Sequence, residues 1–335
     1  MSPKAVLAGG SGFLGQALAR ELRSRGYEVV VLTRRPRVRR SDGIREVAWA
    51  PSATGQSNLL GYPKPSAPSE CEKKSNPIGY FAPGAWAREL EGAAALVNFT
   101  GRSVNCVHHA ENRRAIRATR LDSVRTLGAA VQACRQPPAV WVQCSATGYY
   151  GDVRDRLCDE ETPNGRGFMA EVCRDWEAAF DKLVLPATRK VTLRIGVVLG
   201  KKGGAYPLLA RLTRLFLGGR AGRGDQGISW IHLDDVSEIF LNAIENADWR
   251  GIYNACAPEP ATNAEFMRTL REVQKRPWAP PAPAFAVRLA ARCLLRTDGG
   301  LILEGPRCVP GRALAAGFRF KYGKLVYALD ELAER

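Results

Sequence analysis

The feature that most constrains the fold is a glycine-rich turn near the start of the sequence. Gly9, Gly12 and Gly15 are spaced three residues apart, between an apolar stretch at 4–8 and an amphipathic stretch that runs to Gly26. This pattern predicts a strand, a tight turn and a helix, and a second apolar strand follows. Such a turn brings the backbone close to a pyrophosphate and points helix N–H groups at it. The β-α-β context within about thirty residues therefore predicts a dinucleotide site, with a purely structural turn as the alternative.

Strand-like and helix-like stretches alternate along the chain, which predicts an α/β fold with a Rossmann-type, doubly wound parallel sheet. The 335 residues, 45% of them hydrophobic, can bury a large core. We expect residues 1–50 and 81–200 to form the dinucleotide-binding domain, and the stretch 51–80, rich in Pro, Ser and Gly, to be a flexible insertion. Residues 201–335 are a mixed region, in which part of 225–258 returns to the Rossmann core and the rest forms a small C-terminal substrate domain.

The net charge of +16 makes nucleic acid or an acidic membrane surface a partner to consider. The densest basic cluster lies at 34–40, but no aromatic residues are interleaved with it as a base-stacking surface would require. Nucleic acid is therefore not the expected partner. No apolar run reaches membrane-spanning length, and we expect no membrane partner.

The nine cysteines are scattered without zinc-binding spacing, and the chain has three histidines. Cys144, Cys256 and Cys293 lie in apolar runs, which indicates free buried thiols, a reducing compartment and no metal. Because the glycine turn begins at residue 9, we expect no targeting segment before the fold and a cytoplasmic protein.

Several short motifs together resemble one protein family. They are Gly-Gly-Ser-Gly-Phe-Leu-Gly at 9–15, Leu-Thr-Arg-Arg-Pro at 32–36, Val-Asn-Phe-Thr-Gly at 97–101, Cys-Ser-Ala-Thr-Gly-Tyr-Tyr-Gly at 144–151, Val-Cys-Arg-Asp-Trp-Glu at 172–177, Arg-Ile-Gly-Val-Val-Leu-Gly at 194–200 and Ser-Trp-Ile-His-Leu-Asp-Asp at 229–235. The set resembles the epimerase-like extended or atypical short-chain dehydrogenase/reductases, some of which are labelled nucleoside-diphosphate-sugar epimerases or cell-division inhibitors. The resemblance covers nearly the whole chain except 51–80. It implies a Rossmann domain, a bound NADP and a small C-terminal domain.

The predicted cofactor site combines the glycine turn with residues at the ends of later strands. Arg34 follows the second strand where NAD-preferring folds carry an acid for the ribose hydroxyls, and an arginine there can bind a 2′-phosphate as a bidentate ion pair. We therefore predict NADP, with a solvated basic loop as the alternative. Arg120 matches an arginine of the family and can reach a cofactor phosphate or form a surface ion pair. The predicted cofactor contacts are Gly9, Gly10, Ser11, Gly12, Phe13, Leu14, Gly15, Thr33, Arg34, Arg35, Phe99, Thr100, Gly101, Arg120 and Val198.

The catalytic prediction depends on the segment that follows the strand at 139–144. Related reductases place a Ser or Thr there to orient a substrate oxygen, and a Tyr-x-x-x-Lys pair on the next helix serves as acid and base. The helix that follows here contains no tyrosine, and Ala146 stands where the usual Ser or Thr would be. Ser145, Thr147 and Tyr149 are the candidates for orienting a substrate oxygen. The alternative is that they only shape the nicotinamide pocket.

Polar and aromatic residues further along complete the predicted site. We expect Gln226 and Trp230 to touch a substrate. His232 precedes Asp234 and Asp235, and we expect the histidine to fix the end of a strand and one aspartate to cap the next helix. A catalytic histidine–aspartate dyad is the alternative.

Two functions of different classes follow from these residues. The first is an NADP-dependent oxidoreductase or epimerase-like enzyme acting on a small, unidentified substrate, which can be sugar-nucleotide-like. Hydride transfer needs only a nicotinamide held close to a substrate carbon. The second is an NADP-binding sensor or scaffold without turnover, which the absence of Tyr-x-x-x-Lys favours. Nucleic-acid binding through 34–40 is a third hypothesis, and it predicts a strong salt dependence.

Overall fold

A computed structural model describes residues 2–37, 41–51 and 84–334 of the chain. The predicted flexible insertion therefore lies, from residue 52 onward, outside the described residues, as do Arg39 and Arg40.

The described strands include seven that form one parallel sheet at the centre of the molecule. In chain order the strands are β1 (Lys4–Ala8), β2 (Glu28–Thr33), β3 (Arg45–Ala48), β4 (Ala95–Asn98), β5 (Val140–Ala146), β6 (Leu157–Cys158), β7 (Arg189–Ile195), β8 (Val197–Gly200), β9 (Gly203–Gly204), β10 (Gly227–Ile228), β11 (Trp230–His232), β12 (Gly251–Ala255), β13 (Ala261–Thr262) and β14 (Arg307–Cys308). The central sheet has the order β12-β7-β5-β4-β1-β2-β3, and all its neighbours are parallel. The strand order reverses between β1 and β4, which is the crevice where doubly wound sheets bind dinucleotides. The predicted Rossmann-type fold is thus confirmed.

Helices join the strands of the sheet and surround it. The described α-helices are α1 (Phe13–Ser24), α2 (Ala110–Ala133), α3 (Phe168–Asp181), α4 (Tyr206–Arg214), α5 (Leu233–Glu245), α6 (Asn263–Val273), α7 (Ala284–Cys293), α8 (Gly300–Leu303), α9 (Gly311–Ala315) and α10 (Leu325–Ala333). Helix α1 packs against α5, and α2 packs against α3. Short 3₁₀ helices occupy Ala85–Leu90 and Thr147–Tyr150.

The central strands form because their residues are apolar on both faces of the sheet. Leu7 of β1, Val30 of β2 and Leu96 of β4 are each fully buried. Such unbroken apolar runs are typical of parallel strands that helices cover on both sides. The main hydrophobic core therefore lies on the two faces of this sheet, and the ends of the strands are left to form a site.

A second, smaller core lies in the C-terminal part of the chain. Phe266 and Leu270 of α6 are fully buried, as is Leu329 of α10, and these two helices pack together. Thr262 and Glu265 fix the start of α6 with a capping box, in which each side chain accepts the other residue's N–H. This core also includes Leu199 of β8 and Trp230 of β11.

The cysteines that the structure describes are all free thiols. Cys144 and Cys256 are buried as predicted, but the prediction is wrong for Cys293, which is exposed. Cys293 ends α7, a helix whose outward side is apolar in sequence and is not covered by any of the described elements. None of the described helices is long and apolar enough to cross a membrane. No group of three His, Cys, Asp or Glu among the described residues could hold a metal ion.

Candidate functional site

The glycine turn joins β1 to α1, and its geometry excludes side chains at Gly9 and Gly15. Gly9 has a φ of 72° and donates its N–H to the carbonyl of Leu32 at 2.8 Å. A Cβ atom on Gly15 would lie 2.4 Å from the Cα atom of Gly10. The start of the helix therefore lies closer to the end of the strand than any side chain would allow, as a phosphate-binding turn requires.

Gly12, in contrast, faces open space at the start of α1. It is the N-cap residue of the helix, and a Cβ atom on it would have no neighbour within 4 Å. None of the described side chains caps this helix end, and the first turn carries no acidic residue. The first N–H groups of the helix and the positive end of its dipole are therefore available to an anion.

The end of β4 forms a second wall of this turn. The N–H of Phe99 donates to Ala8 O at 2.8 Å, and the N–H of Thr100 donates to the side chain of Asn98 at 3.0 Å. Thr100 Oγ1 is buried and has no hydrogen-bond partner among the described residues. It lies 2.9 Å from the place where a Cβ of Gly9 would stand. A buried, unpaired hydroxyl beside a backbone cradle fits the polar groups of a dinucleotide.

The end of β2 places two arginines beside the glycine turn. Thr33 is 8% exposed, and its hydroxyl donates to Ser11 Oγ at 3.4 Å, which ties the end of β2 to the turn. Arg34 and Arg35 follow directly and are exposed. Because no acid stands at these positions, this edge of the site favours a negatively charged group over a pair of ribose hydroxyls.

Arg120 brings a further positive charge to the site from α2. Its Nη1 donates to the carbonyls of Arg102 and Ile116, at 3.1 and 3.0 Å, and its guanidinium lies 5.0 Å from the ring centroid of Trp176. Burial lowers the pKa of Arg120. Within the described part of the chain, no carboxylate lies within ion-pair distance of this guanidinium. Its position next to Gly101 is therefore suited to an anionic ligand.

The residues after Gly12 pack against the hairpin formed by β8 and β9. A Cβ atom on Gly203 would lie 2.4 Å from the ring of Phe13, so the hairpin rests directly on the aromatic face. Phe13 and Leu14 are partly buried against the main core, so we assign their predicted phosphate contact to the backbone N–H groups. Val198 is 8% exposed and its side chain belongs to the main core. Its contact with a cofactor stays a prediction.

Ser145 is one end of a buried polar network. Its hydroxyl donates to Glu177 Oε1 at 2.6 Å, and Glu177 also pairs with Arg194, whose Nη2 lies 2.8 Å from Oε2. The side chain of Arg194 is only 2% exposed, and that of Glu177 is 11% exposed. Burial alone would lower the pKa of Arg194, but the hydrogen bonds and negative charge of Glu177 outweigh it and raise that pKa. Ser145 is therefore engaged with the protein and does not present a free hydroxyl.

The network continues from Arg194 through Tyr150 to the last strand of the sheet. Arg194 Nη1 donates to the Tyr150 hydroxyl at 2.9 Å, and Tyr150 donates to Asn254 Oδ1 at 2.8 Å. Burial raises the pKa of the Tyr150 phenol well above its ordinary value. Glu177, Arg194 and Asn254 are not among the site residues that the sequence predicts. A signal was present, because Arg194 is the one charged residue in the apolar stretch 191–199.

Tyr149 and Thr147 differ from Ser145 because their hydroxyls make no hydrogen bond to the described residues. The Tyr149 ring is half-buried, and the guanidinium carbon of Arg194 lies 3.5 Å from its centroid. The carbonyl of Tyr149 accepts hydrogen bonds from Asn164 Nδ2 at 2.7 Å and from the N–H of Gly165 at 3.0 Å. Thr147 is 7% exposed. These contacts fix the Tyr149 ring and leave its hydroxyl unengaged.

The two predicted substrate residues are buried among other elements. Gln226 is 2% exposed, and its amide donates to the carbonyls of Ala221 and Ile302, both at 3.1 Å. Trp230 is fully buried, and its indole N–H donates to Glu259 O at 3.0 Å. Neither side chain presents a surface to a substrate, which corrects the contacts predicted for them.

His232 has a structural position at the start of α5. Its Nδ1 accepts the N–H of Asp234 at 3.2 Å, so the histidine itself caps the helix and the expected aspartate cap is wrong. Both aspartates lie within the first turn of the helix. Asp235 instead accepts the N–H groups of Lys321 and Tyr322, at 2.8 and 2.9 Å. These contacts give the pair a structural role in place of a catalytic dyad.

Comparison with known families and sequences agrees with this geometry. Residues 5–256 match the model of the NAD dependent epimerase/dehydratase family, and residues 282–332 match a domain of unknown function. The chain is 32% identical over 333 residues to a chloroplastic homologue of epimerase family protein SDR39U1 from Arabidopsis thaliana, covering 98% of this chain and 86% of the relative. It is 32% identical over 334 residues to SDR39U1 from Bos taurus, covering 98% and 99% of the two chains.

Solved structures show the same similarity. Human epimerase family protein SDR39U1, isoform 2, solved with NADPH, superposes with a TM-score of 0.78 and 29% identity over 98% of this chain and 99% of the human one. A nucleoside-diphosphate sugar epimerase from Corynebacterium glutamicum has a TM-score of 0.70 and 28% identity. That match covers 98% of this chain and 57% of the longer bacterial one.

Proposed function

The chain belongs to the NAD dependent epimerase/dehydratase family, and from that premise we propose that it is an NADP(H)-dependent oxidoreductase or epimerase-like enzyme for a small substrate. The observation that carries the proposal is the open start of α1 at Gly12, beside the two arginines that follow β2. The human relative that was solved with NADPH supports the choice of cofactor.

The residues at the site fit an NADP molecule group by group. The N–H groups at the start of α1 would hold the pyrophosphate, and Gly12 leaves the space for it. Arg34 and Arg35 would bind the 2′-phosphate. The unpaired Thr100 hydroxyl and the Arg120 guanidinium would serve further polar groups of the nucleotide. When bound, the nicotinamide supplies or accepts a hydride.

The residues that would handle the substrate lie at the end of β5. Tyr149 Oη would donate a hydrogen bond to a substrate oxygen, and the Thr147 hydroxyl would help to orient it. The contact of Arg194 with the Tyr149 ring holds that ring in place. Ser145 supports this arrangement through Glu177, because its own hydroxyl is already engaged.

Arg34→Ala should weaken NADPH binding about 10- to 100-fold and leave NADH binding almost unchanged. The reason is that a charge-assisted hydrogen bond to a 2′-phosphate contributes about 1.5 to 3 kcal/mol. Titration calorimetry with both nucleotides measures the two effects. Arg37→Ala is the matched control, because Arg37 is also exposed but lies further from the strand end, and it should bind both nucleotides like the wild type. Equal losses of NADPH and NADH in Arg34→Ala would place the 2′-phosphate elsewhere.

Tyr149→Phe should lower the turnover of an active substrate about 100-fold or more and leave the Kd for NADPH unchanged, because it removes only a group that acts on the substrate oxygen. Stopped-flow or steady-state assays with NADPH and a panel of carbonyl compounds and sugar nucleotides measure turnover. Ser145→Ala is the comparison variant and should lose less turnover, since its hydroxyl faces Glu177. A Tyr149→Phe variant that turns over at the wild-type rate would remove Tyr149 from the chemistry.

A second candidate function is an NADP(H) sensor or scaffold without turnover. The engagement of Ser145 with Glu177 favours it, because the hydroxyl that would orient a substrate oxygen in an active reductase is here satisfied by the protein itself. The same panel separates the two functions. NADPH binding without turnover of any compound would favour the sensor and contradict the enzyme.

A further inference from the structure

One surface in the C-terminal part of the chain carries apolar side chains and only basic charges. We define this basic apolar face by the exposed residues of 208–217 and 275–296. The two stretches contain seven Lys and Arg residues and no Asp or Glu. They adjoin in the structure, because the guanidinium of Arg276 lies 5.3 Å from the ring centroid of Phe216.

Helix α7 shows most clearly that no element among residues 2–37, 41–51 and 84–334 covers this face. Val287 and Ala291 are buried and attach the helix to the protein. Phe285 and Leu289 are 74% and 62% exposed. At 100° per residue these two lie about 160° from Val287, on the opposite side of the helix. The helix is therefore apolar on two opposite sides, and only one of them is packed.

The neighbouring loops extend the uncovered apolar surface. Trp278 is 67% exposed, and Leu215 and Leu217 are each 58% exposed. Single exposed apolar residues are ordinary on a protein surface, whereas a group of large ones indicates a contact surface. The exposed residues of α7 and of these loops all belong to the two stretches that the contact between Arg276 and Phe216 joins.

Backbone strain is concentrated in the same face. Phe216, Lys275 and Arg296 have φ angles of 60°, 55° and 50°, and they are the three non-glycine residues with positive φ in the part of the chain that the structure describes. Such a conformation costs about 1 to 3 kcal/mol per residue and persists where the surroundings require it. At Phe216 the strained turn leaves the ring 48% exposed.

The positive charge of the basic apolar face favours an anionic partner. A second copy of the chain placed on the same face would bring arginines against arginines, so an anionic partner fits better. Nucleic acid would use the positive charge but has no need for exposed leucines. A surface with Trp, Phe and Leu side chains flanked by arginines has the composition of elements that lie in the headgroup region of a bilayer.

We propose that the basic apolar face binds the surface of an anionic lipid bilayer. Trp278, Phe285 and Leu289 enter the headgroup region, and the arginines of α7 lie against lipid phosphates. This differs from the sequence-based expectation of no membrane partner, which rested on the lack of a spanning apolar run. A peripheral contact requires no such run.

Co-sedimentation of the full-length protein with vesicles tests the proposal. We expect binding to phosphatidylcholine vesicles in which about one third of the lipid is phosphatidylserine, and little binding to pure phosphatidylcholine. Raising the salt to about 1 M, where the Debye length is about 3 Å, should release most of the protein. Arg288→Gln with Arg292→Gln should lower the partition coefficient about thirtyfold. Phe285→Ser with Leu289→Ser should lower it about tenfold or more.

Val184→Ser is the matched control, because Val184 is 75% exposed but lies outside the face. It should bind the anionic vesicles like the wild type, and circular dichroism should show that every variant is folded. Three results would overturn the proposal: no binding to anionic vesicles, equal binding to neutral ones, or unchanged binding by both double variants. A wild-type dimer that Phe285→Ser with Leu289→Ser converts to a monomer would assign the face to a second copy instead.

Discussion

Gly12→Glu should abolish detectable NADPH binding and leave the protein folded. Gly12 has extended backbone angles that any residue can adopt, and a Cβ atom there would meet no atom of the described residues within 4 Å. The new side chain would occupy the space in front of the helix N-terminus and place a negative charge against the pyrophosphate. Repulsion between two charges about 4 Å apart near a protein surface predicts a loss of more than a hundredfold in affinity. Fluorescence titration of NADPH measures the loss.

Two control variants separate this explanation from a general effect of the substitution. Gly12→Ala adds a small group to open space and should weaken NADPH binding much less than Gly12→Glu. Arg20→Glu introduces a glutamate on the exposed side of the same helix, away from the turn, and should bind NADPH like the wild type. If Gly12→Glu bound NADPH with wild-type affinity, the nucleotide could not lie against the start of α1.

Glu177→Ala should lower the free energy of unfolding by about 3 to 5 kcal/mol, since it leaves a buried guanidinium without its countercharge. The Arg194 side chain is only 2% exposed, and Glu177 accepts hydrogen bonds from its Nε and Nη2 atoms as well as from Ser145. Urea unfolding followed by circular dichroism measures the change.

The matched control for Glu177→Ala is Glu238→Ala, which removes an ion pair with Arg25 at the surface. Those two side chains are 45% and 37% exposed, and their nitrogen and oxygen lie 2.8 Å apart. Exposed pairs contribute about 1 kcal/mol or less, so the control should unfold almost like the wild type. Similar losses for both variants would show that the buried network has no special role in stability.

The glycine turn between β1 and α1 could be predicted from sequence because its signals are local. Gly9, Gly12 and Gly15 lie within one turn, and the arginines follow the next strand directly. The alternation of strands and helices along the chain predicts a parallel sheet. Because all strands of such a sheet point the same way, their carboxyl ends meet at one edge.

The parts that sequence did not predict depend on contacts between distant segments. Glu177 and Arg194 belong to a helix and a strand that meet only after folding, and no spacing rule links them to Ser145. Trp230 has a polar atom that a substrate could use, but its indole N–H is satisfied by a loop carbonyl 29 residues away. His232 caps α5 because the chain leaves β11 directly into the helix, which gives the histidine the position that an aspartate usually takes.

The central claim is that NADP(H) lies across the glycine turn with its 2′-phosphate at the end of β2. A crystal structure of the chain with NADPH tests it most directly. The predicted result is density for the pyrophosphate against the N–H groups that follow Gly12, and for the 2′-phosphate within hydrogen-bond distance of Arg34 or Arg35. Density for the nucleotide elsewhere, or a 2′-phosphate in contact with neither arginine, would contradict the account.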